Sequence, residues 1–209
     1  MFFPLYRTLV LLVLFLTGSV VHAAGYTLIE EGKTPSSPGR IEITEYFWYG
    51  CPHCFQLHQY VEQWRRELPP GVDFVYVPVA LKPEWVDHAR VFHAVKTLGF
   101  LDHFHPALFD AIHKEKRKDL GTADGLAAFA AQLEPKYTAE EIKAAMLADE
   151  VDRAVVTQMD WTSRDEVSST PTLVINGRYR ITPNTAGGYA QMLSVADEII
   201  RKHLGQPDS

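Results

Sequence analysis

The stretch Ile41-Glu42-Ile43-Thr44-Glu45-Tyr46-Phe47-Trp48-Tyr49-Gly50-Cys51-Pro52-His53-Cys54 carries the only two cysteines of the chain. Its first nine residues, rich in β-branched and aromatic side chains, read as a largely buried strand over Ile41–Tyr49. From Cys51 to Leu68 the apolar positions Phe55, Leu57, Val61, Trp64 and Leu68 recur at mostly helical intervals, with His58 on the same face, and Pro69-Pro70-Gly71 stops the helix. Val72–Val79 is a second strand. The unit is a strand, helix, strand crossover with both thiols at the carboxyl end of its first strand, where open α/β sheets place their sites.

Beyond this unit the pattern changes. Between residues 82 and 165 strand signals vanish and helical periodicity predicts Trp85–Leu98, His103–Lys118, Ala123–Leu133, Ala139–Leu147 and Val151–Thr162. Strand character returns at Thr172-Leu173-Val174-Ile175. Asn176-Gly177 then signals a tight hairpin into Arg178-Tyr179-Arg180-Ile181, and a helix over Gly188–Leu204 follows. The expected fold is an α/β core in two parts, residues 24–81 and 166–209, with an all-helical subdomain, 82–165, inserted between them.

Residues 1–23 read as an export signal: Arg7 as a basic start, Leu9 to Leu16 as an apolar core, and Val21-His22-Ala23 as a cleavage site. The apolar run is shorter than the roughly 20 residues that span a bilayer, so cleavage after Ala23 is expected rather than anchoring. No later stretch is long and apolar enough to cross a membrane, and the expected mature chain has no stable membrane insertion. The formal net charge is −6, and Arg7 is the only charged residue of the leader, so the mature chain is more acidic still. That balance argues against a nucleic-acid partner, which would need a basic face. The basic run His113-Lys114-Glu115-Lys116-Arg117-Lys118 reads as a solvated helix end.

The chemistry follows from the position of the thiols. Cys51 falls at the amino end of a helix, where unpaired N–H groups and the helix dipole favour negative charge, so its thiol is expected to ionise easily. Pro52 suits the first helical position, where its missing donor costs nothing. Cys54 lies one turn on and faces inward, placing it to resolve a mixed disulfide formed at Cys51. His53, between the two, is expected to stabilise the Cys51 thiolate through its ring, which would stabilise the reduced protein and make the disulfide a stronger oxidant. A structural zinc site would need a second cysteine or histidine pair at matched spacing. No second cysteine pair exists, and the other histidines are scattered. No metal and no bound cofactor is expected beyond the redox-active Cys51–Cys54 pair itself. Ser168-Ser169-Thr170-Pro171, immediately before the late strand, puts a proline where a ladder donor is not needed.

The run Glu45 to Cys54, the helix Phe109-Asp110-Ala111-Ile112-His113-Lys114 and the stretch Thr170-Pro171-Thr172-Leu173-Val174-Ile175-Asn176-Gly177-Arg178-Tyr179 resemble the thiol:disulfide interchange protein DsbA family, thioredoxin-fold oxidases of the bacterial periplasm. The resemblance implies a thioredoxin fold interrupted by a helical domain, with Cys51 as nucleophile and Cys54 as resolving thiol. It implies a cis Thr170–Pro171 bond beside the pair, with the backbone there binding substrate. It also implies that Glu45 is a buried carboxylate assisting proton transfer at Cys54. Implied partners are unfolded or newly exported polypeptides, and a quinone-linked DsbB-type membrane protein for recycling. Two departures stand out. Thr170 occupies a position where the best-known oxidases carry valine and related isomerases threonine, and Tyr76 stands where some members carry a basic residue. Thr170 keeps a disulfide isomerase or reductase open as an alternative, although only a short segment separates the predicted cleavage site from the first strand, leaving no room for an amino-terminal dimerisation domain. From another class, a thiol-independent chaperone-like binder of unfolded chains also stays open. Trp48 and Tyr49 could line the substrate surface or pack in the core.

Overall fold

The computed structural model describes residues 25–35 and 37–205, so the signal segment lies outside the described residues. In chain order the elements are β1 (Thr27–Leu28), β2 (Ile41–Phe47), α1 (Pro52–Trp64), β3 (Val72–Pro78), α2 (Val86–Thr97), α3 (Leu101–His113), α4 (Ala123–Leu133), α5 (Ala139–Met146), α6 (Asp149–Arg164), β4 (Thr172–Ile175), β5 (Tyr179–Ile181), α7 (Pro183–Ala186) and α8 (Tyr189–His203). The strands form one five-stranded sheet in the order β1-β5-β4-β2-β3. Strands β2 and β3 pair in parallel, with Glu45 opposite Tyr76, while β2/β4, β4/β5 and β1/β5 are antiparallel. Five helices, α2 to α6, stand in the chain between β3 and β4. This is a thioredoxin fold with a helical insertion.

All seven residues of β2 are buried, because the strand is central and covered on both faces. Alternation sorts its side chains. Ile41 and Ile43 join Leu57 and Val61 of α1, Ile175 and Ile181, and Met192, Ala196 and Ile200 of α8 in one core. Tyr46 points to the other face, with Val77, Val174 and, more exposed, Trp161 of α6. Phe47 reaches the core of the inserted helices, among Phe92, Phe104 and Phe109. Losing one such buried aromatic ring costs about 3–5 kcal/mol. Glu45 lies on the side of Ile43 and Phe47, toward α1, and this alternation puts a carboxylate beneath the active-site helix.

Several boundaries differ from the sequence reading. Strand β2 ends at Phe47 rather than Tyr49: the last strand bond is Val79 N–H to the Phe47 carbonyl, and Trp48 instead accepts from Cys51 N–H in a turn at 3.0 Å. Helix α1 stops at Trp64 and continues as a single 3₁₀ turn, Arg65–Glu67. Helix α3 ends at His113, five residues early, because Lys116 adopts φ 59° and Arg117 N–H turns back to the Ala111 carbonyl. The basic run therefore lies just past the helix end. Strand β1 and the one-turn helix α7 are additions, α7 being closed by a Thr182/Thr185 capping box.

Candidate active site

Cys51 caps α1 in an extended conformation (φ −83°, ψ 116°) and Pro52 occupies its first turn, as the spacing requires. Both cysteines are free thiols and both are buried, Cys51 at 7 % exposure and Cys54 completely. Their acidities diverge. A hydrogen bond from the Cys54 thiol, opposed by partial burial and helped by the Thr170 hydroxyl and the backbone N–H groups of Cys54 and His53, holds the Cys51 thiol down at about 5. Burial, with the Cys51 sulfur beside it, pushes the Cys54 thiol well above the ordinary value, and the Glu45 carboxylate adds to that. At neutral pH the reduced pair therefore carries its charge on the outer sulfur.

The Thr170–Pro171 peptide is cis, and the Thr170 carbonyl lies 3.4 Å from Cys51 Sγ, which donates to it when protonated. Thr172 opens β4, its hydroxyl donating to the Ser169 carbonyl at 2.8 Å. The proline loop is thereby tied to the strand that pairs with β2, on which the thiols also hang.

The residues leading into Cys51 are fixed by packing. Tyr49 is buried among Phe47, Phe104 and Phe109; its hydroxyl meets His105 Nδ1 at 2.8 Å and its carbonyl accepts from His113 Nε2 at 2.7 Å. Trp48 is half-buried and stacks on Trp85 with centroids 4.2 Å apart. A Cβ at Gly50 would come within 2.3 Å of the Trp48 ring, so only glycine allows the ring to lie under the turn.

His53 is placed differently from the sequence expectation. Its ring is exposed and meets the Tyr189 hydroxyl through Nδ1 at 2.7 Å, and no hydrogen bond joins the ring to either sulfur. What His53 gives Cys51 directly is its backbone N–H.

Glu45 is 2 % exposed, and its Oε2 has no hydrogen-bond partner. Burial, then the nearby Glu62 charge, raises its carboxyl to about 8, with Arg65 pulling the other way. The carboxyl is therefore largely protonated at neutral pH. Tyr76, opposite it, donates to Glu62 at 2.6 Å rather than serving as a counter-charge for Glu45. Burial works against Glu62, yet the hydrogen bonds from Arg65 and Tyr76 bring it down to about 2. Above this layer His58 and His105 pack edge to face, 5.0 Å apart, each with one ring nitrogen that makes no hydrogen bond, the His58 one standing 4.0 Å from Glu62, and burial lowers both below the ordinary histidine value. A cavity of about 230 Å³, lined by Glu62, Arg65, Tyr76, Lys96, Asp102 and His105, opens beside them. A neutral carboxyl that ionises near pH 8 can give a proton to a nearby thiolate and, once ionised, take one back.

The sequence reading singled out Glu45, Cys51, Pro52, His53, Cys54, Thr170 and Pro171. The structure gathers the two thiols, Thr170 and Pro171, buries Glu45 on β2 where its charge is felt at Cys54, and turns the His53 ring to Tyr189. Tyr76, marked in the sequence only as a departure where some members carry a basic residue, lies opposite Glu45, while the sequence assigns no site role to His58, Glu62, His105 or Tyr189. His58 and Glu62 follow Cys54 at helical steps of four, a signal that was available; His105 and Tyr189 reach the site from the inserted helices and from α8, and no local pattern marks them. Outside this layer, His88 meets the Leu120 carbonyl and His93 the Gln158 side chain, and among the described residues no group of three or more His, Cys, Asp or Glu is assembled as a metal site.

Two thiols of opposite acidity within one helical turn are built for disulfide exchange, and on this fold they define a thiol:disulfide oxidoreductase of the thioredoxin superfamily. A family model described as Thioredoxin matches residues 37–194. The chain is 34 % identical to the thiol:disulfide interchange protein DsbA of Pseudomonas aeruginosa, over 80 % of this chain and 78 % of that one, and 32 % identical to the DsbA of Azotobacter vinelandii, over 80 % and 77 %. The crystal structure of P. aeruginosa DsbA superposes with a TM-score of 0.80 at 31 % identity, covering 87 % of this chain and 93 % of that one. The oxidoreductase DsbA from Xylella fastidiosa gives 0.80 at 27 % identity, covering 87 % and 96 %. The chain belongs to the DsbA family of thiol:disulfide interchange proteins.

Proposed function

We propose that this disulfide oxidoreductase works in the periplasm as a donor, passing the Cys51–Cys54 disulfide to newly exported polypeptides with no cofactor beyond the pair itself. A substrate thiolate attacks Cys51 Sγ; the Cys51–Cys54 bond breaks, and Cys54 leaves with the electron pair. Its high affinity for a proton makes Glu45, the neighbouring acid, the proton donor. A second substrate thiolate then attacks the substrate sulfur of the mixed disulfide and releases Cys51 as a stable thiolate. The substrate has lost two electrons to the pair. A quinone-linked membrane protein of the DsbB type would take these electrons, and the Thr170-Pro171 backbone would hold the substrate strand beside Cys51.

The observation that carries this reading is the split acidity of the two thiols, with Cys51 at about 5 and Cys54 well above the ordinary value. Thr170 raises the isomerase alternative, yet its hydroxyl lowers Cys51, which favours the reduced protein and hence donation. In the test, Cys51→Ser abolishes oxidation of a reduced substrate protein, and Cys54→Ser accumulates mixed disulfides on Cys51 visible by mass. A Cys54→Ser variant that traps nothing would sink the role assignment, and a double cysteine variant that still protects unfolded chains as well as the parent would favour the chaperone-like reading.

A further inference from the structure

The contact between His53 and Tyr189 is unexplained by the exchange chemistry. Tyr189 is the first residue of α8, and the chain reaches it through Gly187 at φ 91° and Gly188 at φ 147°, backbone conformations that side-chain-bearing residues rarely adopt. This turn delivers the tyrosine to the amino end of α1. Its ring is half-buried against the core shared by α1 and α8, so the phenol is held by packing, and only the hydroxyl is committed to the histidine. Burial, together with the charges of Cys51 and Cys54, raises the hydroxyl above the ordinary tyrosine value, so it stays protonated at working pH. It can donate to Nδ1 of a neutral imidazole and accept from an imidazolium, and so holds the ring in either state.

We propose that Tyr189 is a positioning residue that holds His53 by Nδ1, keeps that nitrogen from the Cys51 sulfur, and thereby limits how strongly the active-site thiolate is stabilised. The proposal rests on Cys51 being the attacking thiol. The groups facing Cys51 are the Cys54 thiol, Thr170 from the loop before β4, the first turn of α1 and, across α8, Tyr189; Glu45 of β2 acts on Cys54. Of these, the His53 ring is the one that can swing. Released from Tyr189, its Nδ1–H is free to turn to the thiolate, which stabilises the reduced protein and makes the disulfide more oxidising.

The test is a double-mutant cycle read as the glutathione equilibrium and the ultraviolet absorbance of the thiolate against pH. Tyr189→Phe keeps the packed ring and removes the hydroxyl. It is expected to shift the glutathione equilibrium toward the reduced protein by about three- to tenfold, the scale of one net hydrogen bond, and to raise the Cys51 ionisation constant by a similar factor. In a His53→Ala background the same substitution is expected to change neither quantity. A Tyr189→Phe protein matching the parent, or an equal shift in both backgrounds, overturns the proposal. An acidic thiol that survives Cys51→Ser would instead overturn the assignment of Cys51, a separate result read from the same titration.

Discussion

At the scale of single residues, the function rests on an ionisation. With Cys51 held at about 5, its thiolate at pH 7 is favoured over the thiol by roughly 3 kcal/mol, at about 1.36 kcal/mol per pH unit. Only the reduced protein has this gain. It grows as pH rises through about 5 toward the ordinary thiol range and is lost as pH falls through about 5. For a two-electron couple it corresponds to roughly 60 mV toward the oxidising side. The Thr170 hydroxyl is one of its sources, so Thr170→Val is expected to move Cys51 ionisation to higher pH by about tenfold in its constant, the scale of a hydrogen bond to a charged group, and to make the disulfide a weaker oxidant. Thiolate absorbance against pH checks the first and a glutathione titration the second; an unchanged thiolate curve would remove Thr170 from the account. The cysteines, Pro52 and Pro171 were legible because backbone rules dictate where a thiol ionises and where a proline fits. The ring of His53 was not, because sequence adjacency placed it between the sulfurs while a side chain from α8 decided where it points.

At the scale of elements, sheet and turns were the most legible parts. Strand β4 matches its expected bounds, and Asn176-Gly177 forms the expected tight turn with φ 53° and 62° at its two central residues. Gly177 is needed twice over, since a Cβ there would also lie 2.0 Å from the Lys33 carbonyl. Gly177→Ala is expected to destabilise the protein by about 2–4 kcal/mol, through a disfavoured φ and displacement of the 33–35 segment from the hairpin. Chemical denaturation measures this, and a loss below about 0.5 kcal/mol would contradict the packing described. Helix ends were less legible, as at His113, where capping by a residue at positive φ has no glycine to announce it. Strand β1 was missed because two residues carry no periodicity.

At the scale of the molecule, titratable groups buried on both sides of neutrality shape stability. In the disulfide form neither thiol titrates. Burial lowers His58, His88, His93 and His105, so each contributes stability that is present above about pH 6.5 and lost as pH falls. Burial raises Glu45 from 4.5 to about 8, so its contribution is full below about 4.5 and lost as pH rises through 8. The four histidines oppose the raised Glu45 and Asp165 carboxyls on the acid side, whereas above pH 6.5 the histidines no longer titrate and the loss from Glu45 continues. Between pH 6.5 and 8 the protein is expected to lose about 2 kcal/mol, and Glu45→Gln is expected to flatten that limb. Thermal unfolding across pH 5 to 9 would show it, and an alkaline limb unaltered in Glu45→Gln would mean that the carboxyl is ionised in the fold. This buried layer was largely hidden in the sequence, because it is assembled from β2, α1, β3 and α3. The central claim is that the whole molecule holds Cys51–Cys54 as a disulfide ready to be given away. Its most direct test is the fraction of disulfide in the mature protein across a glutathione redox series, with free thiols alkylated: a midpoint toward the oxidising end, where DsbA itself lies at about −120 mV, is expected, and one at or below about −200 mV, in the glutaredoxin range, would contradict it.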